Sequence, residues 1–172
     1  MSINPFRLRL LDILESLPQA MPLAVALERS HTREALTTMD HLAIELRLET
    51  HSFCLVHSTA PELQANAVLE SVLGPVSDAG GARVYQRLLE LNWREAPNES
   101  STLGIDASRE HIVLSTPLNL AEATTEDLVG LLLSSLRKLH SWRSSGFSPL
   151  SQERTEPTPM STAWRSLDSP RA

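Results

Sequence analysis

The chain is poor in the features that most often announce chemistry. Cys54 is the only cysteine in 172 residues, which excludes an intrachain disulfide, a CxxC pair and a zinc site built on thiolates. A reducing cytoplasm fits that usage. The most apolar N-terminal stretch, Phe6 to Leu17, is interrupted by Arg7, Arg9, Asp12 and Glu15, so neither a signal-peptide core nor a membrane span is expected. Basic residues are also short: Lys and Arg total 15 against 21 Asp and Glu, a net charge of -6, with a pI near 5.5. Neutralising nucleic-acid phosphates needs the opposite surplus, so nucleic acid is not an expected partner.

Catalytic motifs are missing as well. There is no GxSxG elbow and no HExxH pair, and Gly80-Gly81 lacks the following Lys-Ser/Thr that would reach a nucleotide. Cys54 lies an odd number of residues from both His51 and His57, which puts it on the opposite face of a strand from either. Six histidines invite a search for metal ligands. His51 and His57 share a strand face, but that spacing is about 20 Å. His41 can approach either across a hairpin, yet no neighbouring Cys or Asp completes a set. No metal, no cofactor and no catalysis are expected. Asn98-Glu99-Ser100 marks a surface loop, and a glycosylation site only in a secreted chain.

What the sequence does contain is a core's worth of apolar residues, 41%, at a mean hydropathy of -0.13, which indicates one folded domain. Asn4-Pro5 is a helix-start signature, and Phe6, Leu10, Ile13, Leu14 and Leu17 then line one face until Pro18. A weakly periodic helix is expected from about Pro22 to Leu36. From His41 the period becomes two, with Leu42, Ile44, Leu46 and Leu48 alternating with Ala43, Glu45, Arg47 and Glu49. A second strand is expected over Ser52 to Ser58. Ala67 to Leu73 reads as a third strand or as a helical turn, closed by Gly74-Pro75.

Val84, Leu88 and Leu91 then mark a helix, with Tyr85 and Leu89 widening its stripe towards Trp93. On its wet side, Glu90 precedes Arg94 in the order that favours a helix pair. Leu103 to Ala107 and His111 to Thr116 read as a hairpin with Ser108, Arg109 and Glu110 at the tip. Thr124 and Asp127 form a capping-box-like start to a helix carrying Leu128, Leu132, Leu136 and Leu139 as far as Trp142. Ser144 to Ala172, rich in Ser and Pro, is expected to be a disordered tail in which Trp164 is the odd aromatic. The fold class is α+β: a twisted antiparallel sheet of about five strands flanked by three or four helices. The expected domain spans 1–143, with 1–40 an extended helical N-terminal region.

An ordered set of short patterns carries a resemblance. Leu73-Gly74-Pro75-Val76 closes a strand, Leu88-Leu89-Glu90-Leu91-Asn92 ends a helix, and Thr102-Leu103-Gly104-Ile105-Asp106 opens a hairpin. Ile112-Val113-Leu114-Ser115 and Pro117-Leu118 follow, and the last helix finishes Ser141-Trp142-Arg143. In this order the stretch resembles the class I type III secretion chaperones, the Tir-chaperone-like family. The N-terminal region is longer than the family's usual single helix, and the Ser/Pro tail is extra.

The resemblance implies a homodimer in the bacterial cytoplasm. It would bind the N-terminal segment of one or more secreted effectors, keep it unfolded and assist its delivery, with the secretion ATPase as a further partner. It implies client contacts at Phe6, Leu10, Leu14, Leu46, Leu48, Phe53 and Leu55, and a dimer interface at Val84, Leu88, Leu91 and Trp93. The alternative within the same fold is a regulatory protein that sequesters a secretion regulator, or one half of a heterodimeric chaperone.

Overall fold

The computed structural model describes residues 4–21, 26–27, 39–76, 81–95 and 101–144. Helix α1 spans Pro5–Ala20. The Asn4 side chain accepts from the backbone N–H groups of Phe6 and Arg7 at 3.0 and 3.1 Å, satisfying two of the amides that a helix start leaves without partners. The same side chain donates to Gln64 Oε1 at 2.8 Å, so the cap also fixes α1 to the far end of the sheet. Pro18 does not stop the helix as expected. It lies inside the last turn, with only Gln19 and Ala20 helical beyond it, and Met21 N–H closes the end on the Leu17 carbonyl at 2.9 Å.

The strands are β1 (Ala26–Leu27), β2 (His41–Leu48), β3 (His51–Ser58), β4 (Asn66–Pro75), β5 (Thr102–Asp106) and β6 (His111–Asn119). Helices α2 (Gly81–Glu95) and α3 (Thr125–Ser144) complete the described elements. The sheet order is β1-β2-β3-β4-β6-β5, with every pair antiparallel. Five strands of useful length and a two-residue edge strand make up the expected α+β architecture. The region expected as a helix from about Pro22 to Leu36 contains β1 instead, paired to Arg47 and Leu46 of β2. The rest of that stretch, and the expected tail beyond Ser144, lie outside the described residues.

Glu49 and Thr50 join β2 to β3, and Glu49 takes the positive φ, 57°, that tight hairpins demand. The ambiguous segment at Ala67 is the long strand β4, whose register shifts between Val72 and Gly74. Thr124 and Asp127 make the expected capping box: Asp127 Oδ2 accepts from Thr124 N–H at 2.8 Å, and Thr124 Oγ1 accepts from Asp127 N–H at 3.3 Å. Glu90 of α2 pairs with Arg87 at 3.3 Å and accepts from Gln86 at 3.0 Å, rather than reaching Arg94.

The register explains the layering. Leu42, His57, Ala67 and Leu118 lie side by side, as do Leu46, Phe53, Ser71, Leu114 and Leu103, and all of these but the half-buried Leu103 are buried. One cluster joins Leu10, Ile13, Leu14 and Leu17 of α1 and Leu128, Leu132 and Leu136 of α3 to Leu46, Phe53, Leu55 and Leu69. A second joins Val84 and Leu88 of α2 and Leu139 of α3 to Leu73, Ile112 and Leu114. Fully burying each such side chain contributes about 1.5–3 kcal/mol. The packed helices thus cover one face of the sheet. The other face carries Ala43, Glu45, Cys54, Val56, Val68, Glu70 and Val72, all exposed or half-buried. No described helix is long and apolar enough to cross a membrane.

Candidate functional site

Helix α2 divides its apolar residues between two directions. Val84 and Leu88 point into the protomer, packed against Leu73, Ile112 and Leu114, and Leu91 is half-buried. Tyr85, Leu89 and Trp93 point away and are 54%, 69% and 85% exposed. Their spacing, i, i+4 and i+8, stacks them on one helix face over about 12 Å. Of the expected interface set, Trp93 therefore belongs to the exposed ridge, while Val84 and Leu88 are interior packing. Tyr85 and Leu89, assigned to the stripe by periodicity, complete the ridge.

Asn92, one turn along α2, holds the ridge in place. Its Nδ2 donates to the Leu103 carbonyl and its Oδ1 accepts from Leu103 N–H, both at 2.8 Å. The side-chain amide thereby imitates a neighbouring strand on β5, the outermost strand on that side. At the opposite edge, β1 pairs with only Leu46 and Arg47 of β2. Among the described residues, no strand pairs with His41 to Glu45 on that side.

The residues expected to meet a client are otherwise placed. Leu10, Leu14, Leu46, Leu48, Phe53 and Leu55 are buried in the main core, where α1 and α3 lie on the sheet. Phe6 is partly exposed and packs at the margin of that core. Burial assigns the six to packing within the protomer and leaves Phe6 as the member of the set with surface to offer.

Two polar constellations were not legible in the sequence, because their members are far apart along the chain. Arg7 of α1 is wholly buried against His57 of β3, with Nε donating to His57 Nδ1 at 2.8 Å. At the other end of the sheet, Glu49, His51 and His140 converge, their candidate donor atoms all within 4.8 Å of one another. The His51 and His140 rings meet edge-on with centroids 5.1 Å apart. Arg143 Nη1 donates to His51 Nε2 at 3.0 Å. Burial lowers the His51 pKa, neighbouring Arg143 and His140 add to that, and Glu49 opposes it. His41 joins neither group: it pairs across to Ser58, next to the Leu42–His57 pair, and so lies on the other sheet face from His57.

Cys54 is half-buried on the open face, opposite Glu45 on one side and Glu70 on the other. Burial pushes its thiol pKa up, and those two carboxylates push it further. A thiol held protonated in this way is a weak nucleophile.

The sequence profile of the Tir chaperone protein (CesT) family matches residues 40–143, well over half of the chain. No curated protein sequence matches. Among solved structures, a chain of the HopA1–SchA chaperone–effector complex is similar at 16% identity and a TM-score of 0.58, covering 80% of this chain and 95% of that one. A chain of the Yersinia pestis type III secretion chaperone SycH in complex with a stable fragment of YscM2 is similar at 17% identity and a TM-score of 0.52, covering 76% and 97%. These likenesses establish the shared fold, and the profile match establishes kinship with a non-enzymatic class of proteins. The chain belongs to the Tir chaperone protein (CesT) family.

Proposed function

We propose that the protein is a homodimeric type III secretion chaperone of the bacterial cytoplasm, which holds the N-terminal segment of a secreted effector in extended form and assists its delivery. The observation that carries this reading is the apolar ridge Tyr85, Leu89 and Trp93, left in solvent by a protomer that buries its other α2 anchors. Two aromatic residues and a leucine on one helix face favour a self-complementary contact about a twofold axis. The partner proposed for that face is a second copy of the chain.

The client is proposed to dock along an edge of the sheet that, among the described residues, no strand covers. On the β5 side, Asn92 already occupies Leu103 N–H and C=O. The β2 edge from His41 to Glu45, with Phe6 at the margin of the adjacent core, is the better candidate. An extended segment adding there gains main-chain hydrogen bonds, and about 25 cal/mol for each Å² of apolar side chain it covers. Ordering the segment offsets part of that gain, which keeps the complex releasable. The similar folds come from complexes of a chaperone with another polypeptide, in keeping with this reading.

Native mass spectrometry of the protein purified from its own cells tests both parts at once. The expected result is two copies of this chain with one secreted protein, bound through that protein's N-terminal region. A partner-free monomer would overturn the proposal.

A further inference from the structure

The hairpin turn between β2 and β3 and the last turns of α3 bring together three donors that the chaperone reading does not use. We infer that Glu49, His51 and His140 form a binding site for a divalent transition-metal ion of the zinc type. Two imidazoles and one carboxylate are the donor set that such ions accept, and three protein ligands leave a fourth position for water. The donor atoms already lie within 4.8 Å of one another. Bonds of about 2.0–2.2 Å to a tetrahedral ion place its ligands roughly 3.4 Å apart. Closing that difference needs only side-chain rotation, and Glu49 and His140 are both exposed and able to rotate.

The bonds around His51 define its tautomer. The residue is 8% exposed, and its ring accepts a hydrogen bond at Nε2 from Arg143. The ring proton is therefore on Nδ1, where Thr50 Oγ1 lies 3.4 Å away. An Nδ1–H held by a neighbouring oxygen fixes the tautomer that presents Nε2 to a metal. The guanidinium of Arg143 occupies the direction an ion would take. Arg143 is an exposed residue in the last turn of α3, so it can swing into solvent as the ion enters. Bound metal would fasten the end of α3 to the hairpin, and with it Leu139 and Trp142, which pack in the cluster beneath α2.

The test is titration of the tag-free chain with Zn²⁺ by calorimetry, with Co²⁺ absorption as a reporter of coordination. One ion per chain is expected. His140→Ala and Glu49→Gln, both at exposed positions, should each weaken binding by about tenfold or more, while His41→Ala leaves it unchanged. Arg143→Ala, which removes the competing cation, should tighten it. Zn²⁺ should raise the melting temperature of the unmodified chain but not that of His140→Ala. No binding at submillimolar zinc, or an affinity that both His140→Ala and Glu49→Gln leave intact in variants folded by circular dichroism, would overturn the inference.

Discussion

Arg7 Nε donates to His57 Nδ1 at 2.8 Å with both side chains shut away from solvent, so α1 is joined to β3 by a cation facing a neutral imidazole. His57 Nε2 lies 2.9 Å from the Gln64 carbonyl. Since Nδ1 accepts, Nε2 carries the ring proton and donates to that oxygen. Both nitrogens are thus engaged, and a second proton would point at the guanidinium. The Arg7 group also reaches the Asp40 carbonyl at 3.4 Å. Burial lowers its pKa, and the Asp40 carboxylate raises it.

This pair makes stability depend on pH. Burial lowers the His57 pKa, the bond to Gln64 opposes that, and the Arg7 charge adds to it. The unfolded chain, with an ordinary histidine pKa of about 6.5, binds the proton first as pH falls. The contribution is complete above that value and is lost as pH drops towards the folded-state pKa. Urea denaturation should therefore give lower stability at pH 5 than at pH 7. His57→Gln should shrink that difference without abolishing it, since His51 is shifted the same way. An unchanged slope in His57→Gln would show that other groups carry the dependence.

Removing the cation is predicted to be costly. Arg7→Met leaves a buried His57 acceptor with no donor, and a buried polar group left unsatisfied costs about 1–3 kcal/mol. Equilibrium unfolding should show a loss of that size. His57→Leu in the Arg7→Met background should recover part of it, because removing both partners is cheaper than orphaning one.

Legibility in the sequence followed how cleanly each face separated. Strand β2 is legible because Leu42, Leu46 and Leu48 are buried while His41, Ala43 and Arg47 are not. Strand β4 was ambiguous because its two faces break the rule: Ser71 is buried in the core with its hydroxyl unpartnered, and Val72 lies exposed on the open face. In α2, an apolar arc wide enough to serve both core and surface hid the division between Val84 and Leu88 on one side and Tyr85, Leu89 and Trp93 on the other. The buried client set reflects the same limit. Periodicity shows that Leu46 and Phe53 face something apolar, and only the fold shows that α1 and α3 already cover them. His140 beside His51, and Arg7 beside His57, needed tertiary structure because no local pattern links such distant residues.

The α2 division separates folding from association. Leu89→Glu and Trp93→Ala alter exposed side chains and should leave the protomer's melting temperature within a few degrees. Light scattering should show each variant shifted from dimer to monomer at micromolar concentration. Leu88→Ala opens the second core and should destabilise by about 2–5 kcal/mol. A dimer that survives Leu89→Glu would place the interface elsewhere.

Core truncation makes the corresponding distinction for the client. Phe53→Ala should cost about 3–5 kcal/mol of protomer stability, so any loss of client binding would track the unfolded fraction. Phe6→Ala, at a half-buried position, should cost less stability and weaken client capture in chains that remain folded. Equal losses relative to folded protein in both variants would assign Phe6 to packing alone.

Asn92 tests whether the outer edge of β5 is closed on purpose. Asn92→Ala leaves Leu103 N–H and C=O without their side-chain partners, and both lie at a sheet edge that can recruit another strand. Water can reach part of such an edge, so the stability loss should fall near the lower end of about 1–3 kcal/mol. The more telling readout is association: Asn92→Ala should form higher oligomers that grow with concentration, as an open edge pairs with its like. Asn92→Asp keeps the acceptor for Leu103 N–H but replaces the donor with an oxygen facing the Leu103 carbonyl. It should therefore loosen α2 from β5 more than the alanine variant does. Faster amide exchange at Leu103 in both variants, ordered Asp above Ala, is the expected result; exchange like that of the unmodified chain would mean that packing by Val84 and Leu88 alone holds the helix in place.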